Sequence, residues 1–267
     1  MMTPDEIAAA AARLDAAERT RKQIRMLSLD HPGMDMADAY AVQKAWIDMK
    51  IGAGRRVRGH KIGLTSKAMQ LALDIDMPDS GVLLDDMFFA DGATIPVDRF
   101  IATRIEAEVA FVLKAPVKGP DCSLFDVLNA TDYAIPALEI LDTRILRVDP
   151  ETKKTRTVFD TIADNAANCG IVMGGRPIRP DAADLRWIGA IVSKNGAIEE
   201  TGLAAGVLNH PANGVAWLAN RMAAHGGALA AGEVVLAGSF VRPIEAGRGD
   251  TIVADYGACG TVSCHFG

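Results

Sequence analysis

Two glutamates one residue apart, Glu106 and Glu108, stand inside the apolar run Ile105 to Leu113, and a third, Glu139, stands inside a second apolar run, Tyr133 to Leu141. Side chains on a strand alternate faces, so Glu106 and Glu108 point one way while Ile105, Ala107, Val109 and Phe111 point the other. Such a pair is most often the solvated side of a half-buried sheet. If it is buried instead, two like charges face one pocket, and a divalent cation held by oxygen ligands is the cheapest compensation. The spacing therefore nominates Glu106, Glu108 and Glu139 as ligands of Mg²⁺ or Mn²⁺, and other residues have to decide between the two readings.

The chain has 267 residues, 49% of them hydrophobic and 23% charged, enough for a sizeable core. That length fits one large domain with a helical layer before it, here residues 1–54 ahead of 55–267. A net charge of −6 offers no field for phosphate backbones, which argues against a nucleic-acid partner. No apolar stretch approaches the ~20 residues that cross a bilayer, and the chain opens on a capped helix rather than a basic leader, so a cytoplasmic protein without a membrane partner is expected. Cys122, Cys169, Cys259 and Cys264 form no CxxC pair and read as free thiols.

Thr3-Pro4-Asp5-Glu6 is a capping box with proline at the first helical position, predicting a helix to about Met26. A second helix is predicted from Asp35 to the glycines after Ile51. The period then changes, and strands are predicted over 57–64, 103–113, 133–141, 168–173, 187–193, 233–236, 251–256 and 259–265. Asn195-Gly196 is a type I′ hairpin turn. Helices are expected only at 66–73, 124–129, 161–167 and 211–224. Many strands with few helices between them predict an α+β fold, with a mixed β-roll or barrel-like core and helices outside. Residues 142–157 form the one long polar stretch, a lid or a solvated excursion.

Lys61 lies in an otherwise apolar strand between Gly59 and Gly63, where desolvation is expected to lower its pKa toward the range useful for proton transfer. A lone strand lysine is otherwise a snorkelling surface side chain. His60 faces the opposite way and reads as a structural hydrogen-bonder. Residues 76–81 read as a turn whose acidic members, Asp79 among them, either reach a site or only cap the turn.

Taken together, Gly59-His60-Lys61-Ile62-Gly63-Leu64-Thr65-Ser66, Pro78-Asp79, Ile105-Glu106-Ala107-Glu108, Ile135-Pro136-Ala137-Leu138-Glu139, Asp160-Thr161-Ile162-Ala163-Asp164-Asn165 and Leu236-Ala237-Gly238-Ser239 resemble the hydratase/decarboxylase branch of the fumarylacetoacetate hydrolase superfamily. The resemblance runs through nearly the whole chain. It implies a fumarylacetoacetase C-terminal-like fold, homo-oligomeric assembly, Mg²⁺ or Mn²⁺ on Glu106, Glu108 and Glu139, and Lys61 with Asp79 as catalytic residues. The Lys-Gly-Phe-Asp motif of the hydrolase branch is missing, with Val158-Phe159-Asp160-Thr161 before Asp164-Asn165, so carbon–carbon bond hydrolysis is disfavoured.

The implied activity is a lyase of aromatic catabolism that adds water to a seven-carbon 2-hydroxy-2,4-dienedioate. The substrate's C1 carboxylate and C2 oxygen would chelate the metal, Lys61 would move protons, and water would add at C4 to give a 4-hydroxy-2-oxo acid. Arg242, Arg156 and Arg144 are candidates for the distal carboxylate because a guanidinium pairs with it in two-point fashion. Ser66, Asn165 and Ser239 are candidate polar liners that otherwise serve as helix caps and turn formers. Decarboxylation of a 2-oxo-enedioate, or a catalytically silent partner in a pathway complex, are the alternatives.

Overall fold

The computed structural model describes residues 1–72, 75 and 77–267, without the side chains of residues 68, 69 and 72. Its helices are α1 (Pro4–Thr20), α2 (Leu27–Asp30), α3 (Met36–Gly52), α4 (Lys67–Ala72), α5 (Leu124–Ala130), α6 (Val158–Ala163) and α7 (Pro211–Ala223). Its strands are β1 (Val57–Gly63), β2 (Asp79–Leu84), β3 (Phe88–Phe89), β4 (Thr94–Ile95), β5 (Arg104–Leu113), β6 (Thr131–Leu141), β7 (Asn168–Met173), β8 (Gly189–Lys194), β9 (Ala197–Leu203), β10 (Val234–Ser239), β11 (Ile244–Glu245), β12 (Thr251–Asp255) and β13 (Thr261–Phe266).

Among the described residues these strands form two sheets. The larger runs β2-β1-β10-β5-β6-β7-β3 with β11 on the end of β5, and the smaller runs β4-β13-β12-β8-β9. The β1–β10, β3–β7 and β4–β13 pairs are parallel and the others antiparallel. The expected α+β class with a mixed β core and outer helices is therefore what forms.

Strand alternation divides the large sheet into two faces of different character. Ile105, Ala107, Val109 and Phe111 of β5 and Leu138 and Ile140 of β6 join the main core, together with Ile252, Ala254, Val262 and Phe266 of the small sheet. Tyr256 ties the two sheets together: its buried hydroxyl is shared between the carbonyls of Glu108 and Ala137, at 2.9 and 2.7 Å. The opposite face carries the glutamates, beside a smaller apolar cluster of Ile47, Leu83, Leu84, Ala110, Ala137 and Leu236. Both strands are thus apolar on one side, while their other side is free to carry chemistry.

The helical layer departs from expectation at its first turn of chain. Both halves of the Thr3–Glu6 capping box form, but α1 ends at Thr20, where Arg21 adopts a left-handed cap (φ 54°). From there Gln23 donates to the Thr143 carbonyl at 3.0 Å and Ile24 bridges Ile145, so tertiary contacts draw the chain away from the helix that the sequence alone would continue. The capping box of α3, Asp35 with Asp38, is formed as the sequence predicts a helix there. Leu14, Val42 and Trp46 of the layer pack with Ile145, Ile162 and Ala163.

Three further expectations are corrected. The turn read over 76–81 becomes strand β2 from Asp79 onward, antiparallel to β1 with Gly63 opposite Asp79 and Gly81 opposite Lys61; Asp76 lies outside the described residues, as does Leu73 at the end of the helix expected over 66–73. The helix expected over 161–167 begins and ends earlier, as α6, and is followed by Asn165, Ala166 and Ala167 at φ 53°, 52° and 57°. The polar stretch 142–157 is not wholly solvated, because Asp142, Thr143, Arg144, Ile145 and Asp149 are buried while Val148, residues 150–155 and Thr157 are exposed. The Asn195-Gly196 hairpin forms between β8 and β9 with both residues at positive φ, as the dipeptide predicts.

Arg144 is fully buried, its Nε 2.5 Å from Asp164 Oδ1 and its guanidinium 5.1 Å from the centre of the Trp46 ring. Removing one member of a buried pair leaves the other charge uncompensated, so Arg144→Met should cost about 3–5 kcal/mol. Adding Asp164→Leu should recover part of that loss, and urea unfolding of the two variants measures both quantities.

Candidate active site

The β5–β6 register sets Glu106 directly opposite Glu139, and Glu108 follows two residues along the same face. One carboxylate oxygen from each of the three lies within 4.8 Å of the others. Glu108 and Glu139 are fully buried and Glu106 is half-buried. The Gly238 N–H donates to Glu108 Oε2 at 2.8 Å, but Glu108 Oε1 and both oxygens of Glu139 accept no hydrogen bond. Buried carboxylate oxygens without donors are costly, and an oxygen-rich cluster of this kind fits a hard divalent cation such as Mg²⁺ or Mn²⁺.

Lys61 enters from β1, two strands away across β10. Its Nζ stands 3.3 Å from Glu139 Oε1 and donates to the Ala166 carbonyl at 3.0 Å. That carbonyl is aimed inward by the left-handed turn 165–167, a conformation that costs a non-glycine residue about 1–2 kcal/mol. Arg144 Nη2, donating to the carbonyls of Asp164 and Asn168, holds the turn at both ends. Asn165 pins it to β2, accepting from the Val82 N–H at 2.7 Å and donating to the Val82 carbonyl at 3.0 Å.

Asp79 is buried beside Lys61, and its Oδ1 accepts no hydrogen bond. Gly63 makes that approach possible, since a side chain there would run into the Asp79 carboxyl and the Lys61 ammonium.

Burial alone would lower the pKa of Lys61, as expected from its strand, but the summed attraction of Glu139, Asp79, Glu106 and Glu108 outweighs it and the net shift is upward. The expectation is thus reversed: with only these residues around it, Lys61 holds its proton. Burial, reinforced by Glu139, pushes Glu106 up to about 8. Glu108, Glu139 and Asp79 are likewise raised, chiefly by burial. Four carboxyls share one ammonium, and the cluster keeps protons because it lacks positive charge.

The other nominated residues are placed as follows. Ser66 precedes α4, its carbonyl accepting the Gln70 N–H at 3.0 Å. Ser239 sits opposite Glu108 on β10 and donates to the Val241 carbonyl at 2.8 Å. Arg242 is four-fifths exposed and bound to Glu200 at 2.6 Å, with no bond to the glutamates, Lys61 or Asp79 among the described residues. Arg144 is committed to Asp164. His60, facing away from the cluster, is driven by burial to a pKa of about 4 and stays neutral. Sequence reasoning passed over Tyr40, whose hydroxyl accepts the Ser80 N–H at 3.2 Å next in sequence to Asp79, and Arg221, stacked 4.0 Å from the Tyr40 ring centre; on helices that carry other polar residues no local signal sets them apart.

No family model matches the chain. It is 62% identical over 256 residues, 96% of each chain, to 2-oxo-hept-4-ene-1,7-dioate hydratase of Escherichia coli. The chain belongs to the family that holds this hydratase and 4-oxalocrotonate decarboxylase. A solved relative is 4-oxalocrotonate decarboxylase of Pseudomonas putida, complexed with magnesium and adipate, at TM-score 0.93 and 35% identity over 100% of this chain and 99% of that one. A fumarylacetoacetate hydrolase family protein of Yersinia pestis shares the fold at TM-score 0.55 and 17% identity, over 78% of this chain and 91% of that one. Among the described residues no helix is long and apolar enough to cross a membrane.

A carboxyl whose pKa is higher folded than unfolded stabilises the fold below its unfolded value and loses that contribution as pH rises through the folded one. Glu106 rises from 4.5 to about 8, so the chelated protein should lose stability steadily as pH climbs between these values. Added Mg²⁺ should restore the thermal midpoint most at the alkaline end. Melting curves in chelator and in Mg²⁺ at several pH values read this directly, and a chelated midpoint that climbs with pH would contradict it.

Proposed function

We propose that this protein is a metal-dependent hydro-lyase that adds water to 2-hydroxyhepta-2,4-diene-1,7-dioate, giving 4-hydroxy-2-oxoheptanedioate in the breakdown of aromatic compounds. The observation that carries the reading is the trio of converging glutamates, with donorless buried oxygens on Glu108 and Glu139, beside a protonated Lys61 and a buried Asp79. The 62% identity to a hydratase over nearly the whole chain supports water addition, whereas the solved decarboxylase is 35% identical. Magnesium bound on that closely superimposing relative supports Mg²⁺ as the ion.

Glu106, Glu108 and Glu139 hold the cation, which when bound supplies a Lewis acid that draws electron density toward the C1 carboxylate and C2 oxygen of the substrate. Lys61 and Asp79 are the proton carriers, with Lys61 Nζ kept in place by Glu139 and the Ala166 carbonyl. In ketonisation a proton leaves the C2 hydroxyl and another arrives at C5, moving the double bond to C3–C4. In hydration the water oxygen bonds C4, the C3–C4 π pair takes a proton at C3, and the second water proton returns to the carriers. Ser66, Asn165 and Ser239 line the pocket.

We assign catalysis to residues 55–267, with 1–54 as a helical region docked on it. Ile191, Ile198 and Leu203, exposed on β8 and β9, suit burial in a homo-oligomer in the cytoplasm.

The purified protein with Mg²⁺ should bleach the conjugated chromophore of the seven-carbon dienedioate without releasing carbon dioxide. Glu106→Gln and Glu108→Gln should abolish turnover with the fold intact, and Lys61→Ala should suppress proton exchange at C3 of a 2-oxo acid. Carbon dioxide release at the rate of bleaching would make the enzyme a decarboxylase, and turnover that survives exhaustive chelation would remove the metal.

A further inference from the structure

Strand β2 brings Asp79 to the site, yet it is an end strand of the large sheet, and among the described residues only β1 pairs with it. That pair is poor in side chains that could lock it. Gly59, Gly63 and Gly81 all lie in it, with Gly63 opposite Asp79 and Gly81 opposite Lys61. A glycine-rich pair specifies its register weakly, and a slip of one residue would turn Asp79 to the other face of the sheet.

The outer edge of β2 is nonetheless paired at Ser80 and Val82, by side chains in place of a strand. The Ser80 N–H donates to the Tyr40 hydroxyl at 3.2 Å, and the Ser80 carbonyl accepts from Gln43 Nε2 at 2.8 Å. Two residues on, the Val82 N–H donates to Asn165 Oδ1 at 2.7 Å, and the Val82 carbonyl accepts from Asn165 Nδ2 at 3.0 Å. A carboxamide offers the same donor and acceptor as a peptide group, so Asn165 meets Val82 as a neighbouring strand would.

These side chains are themselves anchored. Gln43 and Asn165 are buried, and Gln43 Nε2 donates also to the Ile162 carbonyl at 2.8 Å, on the helix α6 that leads into the turn 165–167. Gly81 leaves room for that turn, since a Cβ there would stand 2.4 Å from the Asn165 carbonyl oxygen. One residue beyond Asn165, the Ala166 carbonyl receives the Lys61 ammonium at 3.0 Å. Asp79 and Lys61 are therefore held through one connection, the first by the strand that Asn165 pins and the second by the carbonyl next to it.

We propose that Tyr40, Gln43 and Asn165 are positioning residues that complete the edge of β2, fix its register on β1, and so set Asp79 and Lys61 against each other. This rests on the reading of those two as the proton carriers. It gives Asn165 a task besides lining the pocket. It also gives the N-terminal helical layer, through α3, a part in the reaction that passes through the backbone of β2.

Tyr40→Phe removes the acceptor for the Ser80 N–H, and Gln43→Met removes the donor to Ser80 and Ile162. In the Mg²⁺-loaded protein each should lower kcat for hydration of the dienedioate, and the rate of proton exchange at C3 of 2-oxoheptanedioate, by about 10-fold to 100-fold, the effect of misplacing a reacting group by about 1 Å. KM should stay at the wild-type value, as should the Mg²⁺ affinity titrated calorimetrically without substrate, because Glu106, Glu108 and Glu139 stand on other strands. Hydrogen–deuterium exchange should show the amides of residues 79–84 exchanging faster in both variants, and that of Val82 faster in Asn165→Ala. Tyr40→Phe deletes a single oxygen and decides the matter if Gln43→Met does not fold. Wild-type kcat in both variants, a fall in kcat with an equal loss of Mg²⁺ affinity, or amides over 79–84 that exchange no faster would each overturn the assignment. Exchange at C3 without hydration would sink the reaction proposed above and leave the assignment to stand on the exchange rates; hydration at the wild-type rate in both variants would sink the assignment alone.

Discussion

The site depends on an excess of buried negative charge. Glu106, Glu108, Glu139 and Asp79 surround one ammonium, that of Lys61. Two like charges about 4 Å apart repel by roughly 4 kcal/mol at an effective dielectric near 20, so the cluster cannot ionise fully with only lysine for company. Its raised pKa values express that shortage, as do the oxygens of Glu108 and Glu139 that find no donor. Fully ionised, four carboxylates around one ammonium would carry a net charge of −3, a deficit that suits a divalent cation, and the pairing of β5 with β6 creates it by setting Glu106 against Glu139.

A second charge pair fixes the direction from which Lys61 is held. Arg144 satisfies Asp164 and the backbone on both sides of residues 165–167, which lets three consecutive residues keep a left-handed conformation. The reward is an inward carbonyl on Ala166 for Lys61. Trp46 of α3 stacks on the same guanidinium, and Gln43 donates to the carbonyls of Ser80 and Ile162 at 2.8 Å, so the helical layer presses on both sides of the site. The layer acts on the chemistry through this backbone rather than through any ligand it offers to the glutamates.

What the sequence made legible follows from which physical quantity each feature depends on. Strands β1, β5 and β6 could be read because alternation reports facing directly, and facing is what places Lys61 and the glutamates on one side. Strand β2 was hidden because Asp79-Ser80-Gly81 has the composition of a turn; it is a strand because Gly63 and Gly81 let it lie close against β1 and the 165–167 turn. The turn itself was hidden because Ala166 and Ala167 are strong helix formers, and nothing local announces that buried donors will hold them left-handed. The shift of Lys61 was inverted for a related reason: periodicity reveals burial, which lowers a lysine, but not how many carboxylates share the burial. Residues 142–157 looked solvated because their charges are partnered within the fold, Arg144 by Asp164 and Asp149 by Arg25.

The same two strands serve packing and chemistry on opposite faces, and the two demands conflict. On the face toward the small sheet, Ile105, Val109, Phe111, Leu138 and Ile140 bury apolar surface and add to stability in proportion to area. On the other face, one residue away each time, carboxylates are gathered against repulsion, and Glu108 Oε1 and both Glu139 oxygens accept no hydrogen bond. Neutralising any of these would relieve the metal-free fold while removing the charge that draws the cation, so selection for stability alone would erase the site. The glutamates are tolerated on that face because the alternating apolar positions and the Tyr256 tie between the sheets secure the strands from behind.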